Sequence, residues 1–305
     1  MDILNLNRTN DAVFKTIFAN QQHKDITLSL INAVFEFQGT GQIQDITFID
    51  RELDADQLDG KESRLDLVGQ AFDGTKVNIE IQVDPMAEMG RRSLYYWSRL
   101  YNDLQRGDDY TKLTRTVAIN ILEFNLFDKK KYPSYHSCFG AFDLKTGNQL
   151  TEDLEIHFLE LPKWHLKNTK ELNRLEKWLS YFSKKTSPQE LEEIAMSEPM
   201  IQQALSAEVI FTKDQIKRRA YEKAEKARRD HIAIMNYAVS KSRAEGFAEG
   251  EAEGEAKGKA EGKAEGKAEG EAKVAKSMLQ HGMPPETVAT ISGLPLAMIQ
   301  ELANK

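Results

Sequence analysis

The sequence predicts a mixed α/β domain followed by an all-helical C-terminal region. Three observations carry this. Apolar residues recur at three- and four-residue intervals in two N-terminal stretches, short β-type runs lie between and after them, and strand signals vanish after Leu166.

From Asn10 to Phe37, the residues Phe14, Ile17, Phe18, Ile26, Leu28, Leu30, Ile31, Val34 and Phe35 follow helical spacing, and Gly39 and Gly41 end the pattern. Three strand-like runs come next: Gln44 to Asp50, Arg64 to Phe72 and Lys76 to Val83. The last two are joined by Asp73-Gly74, a hairpin signal because the tight turn it favours needs positive φ at both positions. Met86 to Arg106 returns to helical spacing, with Leu94, Tyr95, Trp97, Leu100, Tyr101 and Leu104 as an aromatic-rich face and Gly107 after the last turn. Thr114 to Phe124 reads as a buried strand and Glu155 to Leu161 as another. The expected first domain is 1–165.

The expected second region, 166–243, is helical. Leu172, Leu175, Trp178 and Leu179 mark one helix, and Ser187-Pro188-Gln189-Glu190 is a capping box with proline at the first helical position. Lys213 to Lys241 forms a long charged helix. From Ala244 a tetrapeptide repeat sets glycine at 246, 250, 254, 258, 262, 266 and 270. Each glycine costs about 1 kcal/mol against alanine in a helix, whereas pairs such as Glu253 with Lys257 return only a few tenths. The repeat, 244–273, is therefore expected to be at most a marginal helix, a spacer or else a weak self-association segment. The tail, 274–305, is apolar again. Its two short helical runs flank Ser292-Gly293-Leu294, the outline of a DNA-reading helix-turn-helix or of an oligomerisation cap.

Composition narrows the function classes. With 40% apolar and 29% charged residues, the chain is neither disordered throughout nor an obligate membrane protein. A single cysteine, Cys138, cannot form an internal disulfide and points to a reducing compartment or to indifference to redox; a cytoplasmic protein is expected. No long uncharged apolar run exists and the N-terminus lacks a signal-peptide pattern, so neither export nor a membrane partner is expected. The net charge of −7 argues against a general nucleic-acid coat protein, but it is unevenly spread. Met1 to Tyr110 carries 19 acidic and 11 basic residues, and Lys213 to Arg243 carries 10 basic and 4 acidic ones. An acidic front suits metal ions, and a basic later segment suits phosphates.

The chemistry concentrates around Asn78-Ile79-Glu80-Ile81-Gln82-Val83. Strand alternation sets Glu80 and Gln82 on one face, with Val77, Ile79, Ile81 and Val83 on the other. Asp66 lies one strand away across the hairpin. Two carboxylates among apolar strands are costly unless a cation separates them, and Mg²⁺ suits a small set of hard oxygen ligands completed by water. Gln82 is placed to orient a water but, as a neutral amide, it accepts no proton. On spacing alone, the favoured reading of the same residues is exposed polar positions on a solvated hairpin face. His136, His157 and His165 lack a consistent metal-ligand spacing, and His157 reads as a structural histidine.

The pattern of Asp66, thirteen residues and then Glu80-x-Gln82 resembles the PD-(D/E)XK nuclease superfamily, in a variant with glutamine in place of the motif lysine. Asn10-Asp11-Ala12-Val13-Phe14-Lys15-Thr16-Ile17-Phe18, Gly60-Lys61 with Leu65-Asp66-Leu67, Arg92-Ser93-Leu94-Tyr95-Tyr96, Gly107-Asp108-Asp109-Tyr110 and Ile156-His157-Phe158-Leu159-Glu160-Leu161-Pro162-Lys163 resemble the Rpn family of recombination-promoting nucleases and transposase-like proteins. The resemblance spans about Asn10 to Lys163. It implies an αβββαβ core and Mg²⁺-dependent DNA endonuclease activity, with Mn²⁺ as a substitute ion, serving recombination, gene transfer or phage defence. Carried over by position, Asp66 and Glu80 are metal ligands with the Ile81 carbonyl as a third, and Gln82 stands at the motif-lysine position. That substitution leaves the activating step to another cation, for which Lys15 is a candidate, or leaves a weak or inactive nuclease fold that acts in DNA binding or assembly. Lys15 also reads as a surface residue paired with Asp11. Arg91, Arg92, Arg99 and Arg106 are candidates to grip the DNA backbone, and the helical C-terminal region is a candidate for homo-oligomer formation.

Overall fold

The computed structural model describes residues 6–38, 41–49 and 67–303, and the chain divides into two compact units, Met1–Ala227 and Arg228–Lys305. In the first unit, α1 (Asp11–Phe18) and α2 (Lys24–Gln38) precede β1 (Ile46–Phe48), β2 (Leu67–Ala71) and β3 (Lys76–Gln82). The helix α3 (Met89–Tyr101) leads to β4 (Thr116–Leu122), and β5 (His136–Phe142) with β6 (Gln149–Glu160) completes the described strands. These form one sheet in the order β1-β2-β3-β4-β6-β5. The αβββαβ order expected from the resemblance is present, extended at one edge by β5.

The strands β1, β2 and β3 run antiparallel, and β3, β4 and β6 run parallel. Parallel neighbours need a crossover, which α3 supplies between β3 and β4. The register Glu80↔Asn120 and Asn120↔Phe158 defines a row on the face beneath α3, and Ile79↔Ile119 with Ile119↔His157 defines the adjacent row on the opposite face. Both faces are covered, so β4 is buried along its whole length. Val13, Phe14, Ile17 and Phe18 join Ile79 and Ile119 in one core. The helices α4 (Arg174–Phe182), α5 (Pro188–Ser197) and α6 (Pro199–Lys213) contribute to it, and the ring of Phe18 lies 5.7 Å from Trp178 and 6.1 Å from Tyr181.

Three local features depart from the sequence expectations. Gly74 has φ 87°, but no described non-glycine residue has positive φ, so Asp73-Gly74 is not the expected two-residue turn. Gly74 N–H donates to the Ala71 carbonyl at 3.0 Å and Ala71 N–H to the Thr75 carbonyl at 2.8 Å, which closes a three-residue loop ending in a left-handed glycine. This pairs Leu67 with Ile79, where a two-residue loop would have opposed Leu67 to Glu80. Next, α3 stops at Tyr101 and not at Arg106. The buried Lys76 reaches from β3 to donate to the Leu100 carbonyl at 3.1 Å and to Asp103 at 2.6 Å, which satisfies the helix end early. Its buried face is Met89, Ser93, Tyr96 and Leu100, whereas Leu94 and Tyr95 are exposed. Finally, β5 was not evident in the sequence and β6 starts six residues earlier than expected. Gln149 to Asp153 pairs with the edge strand alone, so no alternating burial marks it.

The long helix α7 (Gln215–Gln280) continues through the glycine repeat. Glycine was expected to make that segment marginal, but Ala, Glu and Lys fill nearly all its other positions and propagate the helix. In the second unit, α8 (Pro285–Ser292) and α9 (Leu296–Ala303) flank Gly293 at φ 70°, and Ala275, Val288 and Ile299 form a small core. Among the described residues, no helix is long and apolar enough to cross a membrane.

Candidate active site

The strand β3 carries Asn78, Glu80 and Gln82 on the face beneath α3. Glu80 is only 1% exposed, which removes the reading of a solvated hairpin face. A carboxylate buried to this degree needs compensating positive charge or hydrogen bonds. Its partners include the Arg92 guanidinium, with Nη2 3.4 Å from Oε2, and the Gln82 amide, with Nε2 3.4 Å from the same oxygen. Both contacts are at the long end of hydrogen-bond range, and the guanidinium beside Oε2 marks a place that tolerates positive charge.

The position of Arg92 follows from the short path between strand and helix. After Gln82 the chain turns at Asp84-Pro85 and enters α3, whose first turn returns over the strand end. The guanidinium of Arg92 also lies 5.0 Å from the Tyr96 ring centroid, one turn along the helix, and this stacking helps fix it. Beside it, Asn120 donates to the Ser93 hydroxyl at 2.8 Å and to the His157 carbonyl at 3.0 Å, tying α3 to the middle of the sheet.

The remaining candidates fall as follows. Asp66 lies outside the described residues; in sequence it precedes Leu67, which pairs with Ile79, the residue before Glu80. Ile81 is buried on β3. Lys15 is half-buried on α1 and forms an ion pair with Asp11 at 2.8 Å. Arg91 is exposed and Arg99 half-buried on α3. Arg92, Arg99 and Arg106 recur every seven residues, but Arg106 lies beyond the end of that helix, so the three do not form one helical face, and Arg92 points to Glu80. The role of Arg92 beside the carboxylate was missed from sequence; the signal was its position in the first turn of the helix that directly follows Glu80-x-Gln82.

The family model for PD-(D/E)XK nuclease family transposases matches residues 8–238. The chain belongs to this family. The match takes in the sheet, α4 to α6 and the basic first part of α7, and it ends before the glycine repeat. A nuclease-like function accords with it, and nucleases of this superfamily typically use divalent metals. No curated protein and no solved structure matches the chain.

A second polar cluster occupies the opposite face of the sheet. His157, fully buried on β6, has Nδ1 3.0 Å from His136 Nε2 and Nε2 3.2 Å from Glu155 Oε2, and Cys138 Sγ lies 3.9 Å from the same Nε2. Burial, reinforced by His157, pushes the His136 imidazole down to about 3. Cys138 is exposed as a residue, but its thiol is partly enclosed beside His157, and this enclosure and then the Glu155 charge push the thiol up to about 11. Burial opposes ionisation of Glu155, but hydrogen bonds from His157 and Arg115 outweigh it and hold the carboxyl below its ordinary value.

Proposed function

We propose that the chain is a Mg²⁺-dependent DNA endonuclease, and that the buried Glu80 carboxylate, contacted by Arg92 and Gln82, is the centre of its site. The single observation that carries this is the burial of Glu80, at the position where the sequence resemblance sets the motif carboxylate. Its hard oxygen atoms fit a divalent cation, with Asp66 and the Ile81 carbonyl assigned as the further ligands. Such a cation would supply charge neutralisation for the phosphodiester. Gln82 orients the attacking water through its amide, and Lys15 is assigned as an auxiliary cation. Arg92 offsets the Glu80 charge in the protein alone and turns to a phosphate oxygen when DNA binds. Arg91, Arg99 and Arg106 are assigned to the DNA backbone. Recombination, gene transfer or phage defence is the setting the family resemblance implies.

Supercoiled plasmid incubated with the full chain and Mg²⁺ or Mn²⁺ is expected to yield nicked circles, and a chelator is expected to stop the reaction. Cutting that continues under chelation would overturn the metal requirement. The neutral Gln82 favours a second reading, a nuclease fold retained for DNA binding or assembly, which predicts retarded plasmid and no nicking with any divalent ion.

We also assign homo-oligomer formation to α7, where Ile234, Tyr237, Val239 and Phe247 are 66%, 70%, 63% and 76% exposed. Sedimentation is expected to give a mass that rises with concentration in the parent and stays monomeric after Ile234→Lys with Tyr237→Lys. A parent that is monomeric at every concentration would remove this assignment.

A further inference from the structure

We infer that Cys138, Glu155 and His157 form a transition-metal site of the zinc class, separate from Glu80. Strand pairing builds it. Cys138 lies directly opposite His157 in the β5/β6 register, so their side chains share a face, and Glu155 shares it two residues along β6. One atom from each residue, Sγ, Nε2 and a carboxylate oxygen, falls within 4.8 Å of the other two. A tetrahedral zinc with bonds of about 2.0–2.3 Å sets its ligand atoms about 3.3–3.8 Å apart. The 3.2 Å from Nε2 to Glu155 Oε2 and the 3.9 Å from Nε2 to Sγ lie close to that spacing, so small side-chain movements suffice.

The donor set excludes the ion assigned to Glu80. A thiolate, an imidazole and one carboxylate suit Zn²⁺ or Co²⁺, whereas Mg²⁺ takes oxygen ligands and retains its waters. The row of His157 faces away from that of Glu80, so the two sites lie on opposite faces of the sheet. Cys138 is exposed, which leaves a fourth position for water. With Nε2 on the metal, the His157 Nδ1–H donates to His136 Nε2 at 3.0 Å, the outer hydrogen bond that orients a ligating histidine. Binding breaks the Cys138 S–H bond and releases that proton to solvent.

Arg115 also engages Glu155, with Nη2 2.8 and 2.9 Å from its two oxygens and Nε 3.2 Å from Oε1. In the metal-bound form Arg115 keeps Oε1 and yields Oε2. Its positive charge weakens the site relative to an all-thiolate one, so a chelator is expected to strip the metal.

Cobalt titration of the full chain tests the site, because Cys138 is the one cysteine and any thiolate-to-cobalt absorption band reports on it. The expected result is a band that saturates at one equivalent of Co²⁺, bleaches on adding Zn²⁺, is lost in Cys138→Ser and persists in Glu80→Gln. Zn²⁺ is also expected to slow alkylation of Cys138 at least tenfold. A parent with no band, a band that survives Cys138→Ser, or alkylation unchanged by Zn²⁺ would overturn the site. Because Glu80→Gln leaves the expected band in place, failure here is distinct from failure of the nuclease assignment.

Discussion

Trp178→Ala is expected to lower the unfolding free energy of the first unit by about 3–5 kcal/mol. Trp178 is fully buried on α4, with Phe18, Tyr181 and Phe182 around its ring at 5.7, 5.5 and 6.4 Å. Its indole N–H donates to the Ser29 hydroxyl at 3.2 Å, so truncation opens a cavity and also removes one of that hydroxyl's donors, Arg174 Nη2 remaining at 3.3 Å. Aromatic neighbours fixed by α1 and α4 cannot collapse into the space without moving whole helices. Urea unfolding of parent and variant gives the difference. A loss below about 1 kcal/mol would mean that α4 does not share the core of α1 and α2.

Glu80→Gln is expected to reduce metal-dependent nicking by about 100-fold or more, on the scale of losing one group aimed at the reacting charge. The substitution is nearly isosteric and removes only the negative charge that a divalent cation needs. Arg92 retains partial solvent access, with 29% of its side chain exposed, so its charge stays hydrated when the carboxylate is neutralised. The fold should therefore survive, and an unchanged urea midpoint in the variant separates a chemical loss from a structural one.

Much of this site was legible in the sequence because strand period is rigid. Glu80 and Gln82 had to share a face once Val77, Ile79 and Ile81 were assigned to the other. Burial of that face was not legible, since it depends on α3 folding back over the strand. The same event brings Arg92 to Glu80, which no period within one element reveals. The hairpin was legible but its register was not, because Asp73-Gly74 fits both a two-residue turn and the three-residue loop that forms. The early end of α3 depends on Lys76, a residue from another strand. In β5, Ser137, Cys138 and Gly140 give an edge strand no apolar alternation to detect, and the Cys138, Glu155 and His157 cluster stayed hidden with it. Asp66 was read from the motif and lies outside the described residues.

The most direct test is Mg²⁺-initiated nicking of supercoiled plasmid by parent and Glu80→Gln, purified identically and matched in their urea unfolding. Nicking by the parent that falls by about 100-fold or more in the variant is the predicted result. Equal rates in the two folded proteins would contradict the assignment of Glu80 as the catalytic carboxylate.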